Sequence, residues 1–153
     1  MTHLSPALVA LLLAAATLVA CTGTPPDRPD MTQGRLPPCP SSPNCVSTDA
    51  RDAEHAIAPF ELALPPVRAW DAARAAVLEL PRTTIVRERP DYLHAECRSA
   101  LFGFVDDLEL QLRPERGVIA VRSASRVGYG DLGVNRRRVE SLRERLAEEG
   151  VVH

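Results

Sequence analysis

Apolar and polar positions alternate with two distinct periods along the second half of the chain. In PPVRAWDAARAAVLEL, residues 65–80, Val67, Trp70, Ala73, Val77 and Leu80 recur three and four apart, the spacing of one helical face. Pro65 and Pro66 suit the first turn of that helix, where the missing N–H has no intrahelical partner to lose, and Pro81 stops it. Four runs with the strand period follow: TTIVRER (83–89), YLHAECRS (92–99), FVDDLELQLR (104–113) and GVIAVRSASR (117–126). Turn residues at Arg89-Pro90-Asp91 and from Pro114 to Gly117 separate them, so they read as an antiparallel meander. In the third run Leu108, Leu110 and Leu112 alternate with Asp107, Glu109, Gln111 and Arg113, which predicts one face on a core and the other in water. The stretch NRRRVESLRERLAEEG (135–150) places Val139, Leu142 and Leu146 on one stripe, with Gly150 as its C-cap. HAIAPFELAL (55–64) reads as an edge segment ahead of the first helix. The expected fold is α+β: a two-layer sandwich in which two helices pack on one face of an antiparallel sheet of about four to five strands, in the order β-α-β-β-β-β-α.

The chain ahead of residue 55 has neither period. Residues 4–20, LSPALVALLLAAATLVA, are an uncharged apolar run of signal-peptide length. Leu18, Val19, Ala20 and Cys21 resemble the lipobox of bacterial lipoproteins, in which a small residue precedes the cysteine that is acylated and becomes the mature N-terminus. Two or three acyl chains anchor stably where one is marginal, so this reading needs no transmembrane helix. Only His3 and the α-amino group stand where Lys or Arg is usual ahead of such a run. The rival reading is an uncleaved anchor with Cys21 an ordinary thiol. Thr22 follows the cysteine, where an Asp would favour inner-membrane retention, so if the envelope is Gram-negative this points to its outer membrane, facing the periplasm. From Thr22 to Pro43 the chain holds seven of its 14 prolines and lacks the apolar content of a core. The expected organisation is a signal peptide over 1–20, a Pro-rich tether over 21–38 and a domain over 39–150.

Composition narrows the functions. The 153 residues suit one domain, and the 18 basic residues, all arginine, are balanced by 20 acidic ones for a net charge of -2. No global field favours nucleic acid, and three Phe, two Tyr and one Trp are few for stacking bases. Cys39 and Cys45 lie in CPSSPNC, whose prolines and Asn44 favour the turn that a short bridge requires, and an oxidising compartment favours the disulfide. Zinc is the rival, but two cysteines without a nearby His leave its tetrahedron half filled. Cys97 takes an apolar strand position and reads as a buried, inert thiol.

The segments CPSSPNCVST (39–48), HAECRSALFGFVDD (94–107) and RSASRVGYGDLGVNRRR (122–138) together resemble the DUF1499 family, over roughly Leu36 to Leu146. That family has no assigned activity, so the resemblance implies a fold and no chemistry. Cys97 departs from its pattern, where an aromatic or apolar residue is expected.

The most unusual stretch runs from Arg122 to Arg138. A strand ends at Ser123, Ser125 and Arg126, passes Gly128, Gly130 and Gly133, and enters a helix near Asn135. Glycines ahead of a helix N-terminus expose N–H groups that suit an anion, and Arg122, Arg126 and Arg136 would add guanidinium forks. The plainer reading is that Asp131 or Asn135 caps the helix while arginines pair with Asp106 and Asp107. With Arg98, these residues (Asp106, Asp107, Arg122, Ser123, Arg126, Asp131, Asn135 and Arg136) form the candidate binding surface for an envelope protein or an anionic ligand. The other reading is an envelope enzyme built on Asp106, Asp107, Arg122 and Arg126. Against it, adjacent Asp106 and Asp107 point to opposite faces of a strand, the serines lack a nucleophile elbow, and the only histidines after the leader are His55, His94 and His153, with nothing in the spacing to make His94 a triad member. A purely structural envelope protein is the third reading. No cofactor or metal is expected. His94, Glu96 and Arg98 fall beside Asp107, Glu109, Arg122 and Arg126 if the registers align, as ion pairs on a wet surface worth a fraction of a kcal/mol each.

Overall fold

The strand period over residues 83–125 becomes four long antiparallel strands, and two short ones join them. A computed structural model describes residues 34–153. In chain order the elements are β1 (Cys45–Ser47), β2 (Phe60–Glu61), α1 (Pro66–Leu78), β3 (Thr83–Arg89), β4 (Tyr92–Arg98), β5 (Val105–Arg113), β6 (Val118–Ser125) and α2 (Val134–Glu148). The sheet runs β1-β6-β5-β4-β3, and β2 lies beside the opposite end of the same β6 edge. It is an open antiparallel sheet with two helices, the α+β arrangement that the periods predict. The leader, Cys21 and the tether up to residue 33 lie outside the described residues.

One sheet face carries the helices. Leu93, Ala95, Leu108, Leu110, Ile119 and Val121 meet Val139, Leu142 and Leu146 of α2 in one buried cluster with α1. The buried stripe of α1 is Ala69, Trp70, Ala73, Ala76 and Val77, while Val67, assigned to that stripe by spacing, is 71 % exposed. Three alanines on the inner side let the helix lie close to the sheet, and the first-turn valine is left outside. Gly150, at φ 67°, ends α2, and Val151 N–H returns to the Leu146 carbonyl at 2.8 Å. Val152 then bridges to Leu62, and His153 N–H donates to Glu61, so the last residues close the β2 edge.

β1 has no counterpart in the expected order, because three residues are too few to display a period. Pairing with Arg122 to Ala124 forms it, and the Cys39–Cys45 disulfide fastens its first residue.

The second sheet face corrects an expectation. Asp107, Glu109, Gln111 and Arg113 were expected in water, yet every residue of β5 is buried. Two physical causes are visible. Side chains on this face pair with one another across strands, and the chain on either side of β1 lies over it: before β1, Leu36 packs against Tyr92 and Ala120, and after it Asp49 receives a two-pronged contact from Arg113 at 2.9 and 2.6 Å. Leu36 falls in the stretch that the sequence assigns to the tether.

Candidate functional site

The registers bring the charged strand positions together. His94 stands opposite Glu109, Glu96 opposite Asp107, and Glu109 opposite Arg122. Glu109, with no exposed surface, accepts the Tyr92 hydroxyl at 2.7 Å and Arg122 Nη1 at 2.8 Å. One strand position further, Asp107 accepts His94 Nε2 at 2.7 Å and Arg126 Nη2 at 2.7 Å, with Arg126 Nε at 3.1 Å from each of its oxygens. Arg126 Nη2 also reaches Glu96 at 2.7 Å, and Arg98 takes the other Glu96 oxygen at 2.9 Å. Burial opposes ionisation of Asp107, but the bonds from His94 and Arg126 outweigh it and hold its pKa down to about 2. Such a carboxylate is a fixed counter-ion rather than a base poised to take a proton.

A second cluster occupies the other face, where the sheet meets the start of α2. Asp106 accepts Arg138 Nη2 at 2.6 Å, and Arg138 Nη1 donates to Ser123 Oγ and to Asn135 Oδ1 at 3.0 and 2.7 Å. Asn135 Oδ1 also accepts the Ser123 hydroxyl at 2.6 Å, while its Nδ2 lies 2.8 to 3.1 Å from Asp131, Ser125 Oγ and the Asn44 carbonyl. Asp131 accepts the N–H groups of Gly133 and Asn135 at 2.9 and 2.8 Å. Burial opposes its charge, and these N–H donors outweigh it, so its pKa is lowered. The backbone donors in which the sequence suggested an anion cradle therefore already hold a carboxylate of the same chain.

Two smaller features complete the described chemistry. His55, buried, contacts Asp52 Oδ1 through Nδ1 at 2.6 Å and the Ser42 carbonyl through Nε2 at 3.1 Å. Both partners are acceptors, so both ring nitrogens donate; the Ser42 bond, then the Asp52 carboxylate, raises the His55 pKa against the cost of burial. Cys97 is buried in the helix-side core, and burial pushes its thiol pKa up. Among the described residues no group of three or more His, Cys, Asp and Glu side chains is gathered as metal ligands would be, and no helix is long and apolar enough to cross a membrane.

A family model described as protein of unknown function (DUF1499) matches residues 35–146. The chain belongs to the DUF1499 family. No curated protein and no solved structure matches it.

The three segments that carry the DUF1499 resemblance supply most of both clusters, and the candidate surface is divided between them. Asp107, Arg122, Arg126 and the exposed Arg98 belong to the strand face; Asp106, Ser123, Asp131 and Asn135 belong to the helix side. Arg136 joins neither, and donates to the carbonyls of Ala56 and Glu54 at 3.0 and 2.9 Å. The sheet itself separates Asp106 from Asp107, as strand alternation requires. Arg138 and Tyr92 are central to these networks and were not singled out by sequence, since their partners depend on register, while Glu109 was read from sequence only as a member of wet surface ion pairs and is instead fully buried.

Sequence reading also passed over the loop end of the sheet. The β4–β5 loop and the β6–α2 loop leave the strands side by side, joined where Arg126 N–H donates to the Val105 carbonyl at 3.1 Å. They expose Leu101 at 81 %, Phe102 at 65 %, Tyr129 at 77 % and Leu132 at 93 %. The signal was present in Phe102-Gly103-Phe104 and Gly128-Tyr129-Gly130, where half of the chain's six aromatics are flanked or separated by glycine.

Proposed function

We propose that this DUF1499 protein is a lipid-anchored component of the bacterial envelope whose domain acts as an interaction module through its loop end. The observation that carries this reading is a contrast in satisfaction. Most of the polar candidates are bonded in two networks inside the domain, whereas large apolar side chains stand exposed on two adjacent loops. The lipobox-like Leu18 to Cys21 and the proline-rich stretch after it support the anchor. Intact-mass analysis of the membrane fraction from cells expressing the full chain tests it. A species beginning at Cys21 with added acyl mass supports the proposal, and an unprocessed or unacylated chain overturns it.

One observation favours a second reading, an envelope enzyme. His94 and Arg126 each lie within hydrogen-bond reach of Asp107 on the strand face. It ranks below the first because His94 and Asp107 are each less than a tenth exposed, and donors already engage both Asp107 oxygens. A hydrolytic or transfer activity of the purified protein that disappears in His94→Gln with folding intact would reverse that order.

A further inference from the structure

We infer that the loop end of the sheet docks on the surface of a lipid bilayer, inserting Leu101, Phe102, Tyr129 and Leu132 among the headgroups. This deepens the proposed function, because it names the partner of the same exposed loops and rests on the reading of the chain as membrane-tethered.

Shape is the first argument. Leu101, Phe102, Tyr129 and Leu132, exposed at 65 to 93 %, project from the two loops. A protein partner usually recognises anchors through pockets and a sheltering rim, whereas a bilayer interface needs only that apolar groups project. Aromatic rings with an adjacent polar backbone suit the headgroup region, and the Phe102 and Phe104 rings lie 5.6 Å apart as one unit.

Charge is the second. The two loops contain one acidic residue, Asp131, whose carboxylate is engaged by Gly133 and Asn135. Around them Arg82, Arg136 and Arg137 donate to carbonyl oxygens of Arg98, Ala56, Glu54 and Leu132. Carbonyls satisfy a guanidinium without neutralising it, so this end offers positive charge to anionic headgroups.

Reach is the third. Leu36 packs against Tyr92 and Ala120, towards the far end of the strands from these loops. The 15 residues from Cys21 to Leu36 extend at most about 50 Å, against about 30 Å for the nine residues of β5. An anchor at Cys21 therefore leaves the loop end free to turn onto the membrane.

The test uses the chain from residue 21 onward with Cys21→Ser, which contains every described residue and no acyl group. It is sedimented with vesicles of phosphatidylcholine, with and without phosphatidylglycerol. The expected result is binding that phosphatidylglycerol strengthens and salt weakens, and that falls about tenfold or more in the L101S/F102S/L132S variant. All three positions are exposed, so the variant should melt with the parent. As a second readout, Phe102→Trp gains emission that brominated phosphatidylcholine quenches, while Trp70, beside Pro90 and Leu112 at the opposite end, stays unquenched. Absence of vesicle binding, equal binding by the triple variant, or a dimer in light scattering that the variant abolishes would each overturn the inference. Because the tested chain carries no lipid, its failure beside an acylated species in the mass experiment would remove the docking surface and leave the anchor standing.

Discussion

The two faces of β5 are equally dry and are held by opposite means. Leu108, Leu110 and Leu112 face the helices and are buried by area, where any apolar group of fitting volume serves. Asp107, Glu109 and Arg113 face the other way and are buried by partnership, each charge bound to a named opposite charge. The first kind of burial tolerates exchange and loses stability gradually with lost volume. The second depends on both members, because removing one leaves the other ionised in a place that water does not reach.

Breaking Glu109 makes the largest expected difference. Glu109→Ala should cost about 3 to 5 kcal/mol in urea unfolding, since Arg122 and the Tyr92 hydroxyl lose their acceptor together. Replacing the pair jointly, Glu109→Leu with Arg122→Met, should cost less than Glu109→Ala alone. Leu110→Ala, at the neighbouring position on the other face, should cost about 2 to 5 kcal/mol. No change at a single partner residue should repair that loss. A double variant as unstable as the sum of its single changes would show that the polar face is not a coupled network.

This difference in mechanism explains what the sequence disclosed. Period identifies a face, so α1, α2 and strands β3 to β6 were legible within a residue or two, and so was the opposite orientation of Asp106 and Asp107. Period does not say what lies over a face. The return of Leu36 and Asp49 across the strands is a long-range event with no local signature, and an alternating polar strand looks the same wet or dry. The candidate residues were chosen by type and proximity along the chain. Their division between two clusters follows from register and from the helix α2, which brings Arg138 to Asp106 from 32 residues away.

The disulfide sharpens the comparison at the edge where the N-terminal segment joins the sheet. Cys45 is paired with Ala124 on β6, and Asn44 donates to the Gly128 carbonyl at 2.7 Å, so the bridge fixes a loop that touches the start of the β6–α2 connection. Closing so short a loop contributes about 2 to 3 kcal/mol. Cys39→Ser with Cys45→Ser should lower the melting temperature accordingly, and reduction of the parent should give the same decrease.

Titration separates the polar sheet face from the segment between β1 and β2 by sign. Asp107 has a pKa lowered to about 2, so the stability it contributes is present above its unfolded value of about 3.8 and is lost as pH falls towards 2. His55 has a raised pKa, so its contribution is complete below about 6.5 and is lost as pH rises through the higher folded value. Thermal melts across these ranges should show an acid limb that is reduced in Asp107→Asn and an alkaline limb that is absent in His55→Gln. Leu110→Ala should lower the whole curve without reshaping either limb.

The smallest expected effect lies where the helix-side cluster meets the loop end. Gly133, at φ 76°, turns the chain into α2 without a side chain of its own to accept the first N–H groups, and Asp131 supplies the acceptor from two residues upstream. Three arginines then occupy the first turns, Arg136 to Arg138, where a helix N-terminus disfavours positive charge. The Asp131 carboxylate answers both the unpaired donors and that charge. Asp131→Ala should therefore cost about 1 kcal/mol. Asp131→Asn keeps a side-chain acceptor but loses the charge, and should retain part of the stability at low salt and more of it at high salt, where the dipole and the arginines are screened. Equal losses in the two variants at all salt concentrations would assign the whole effect to the hydrogen bonds and none to the charge.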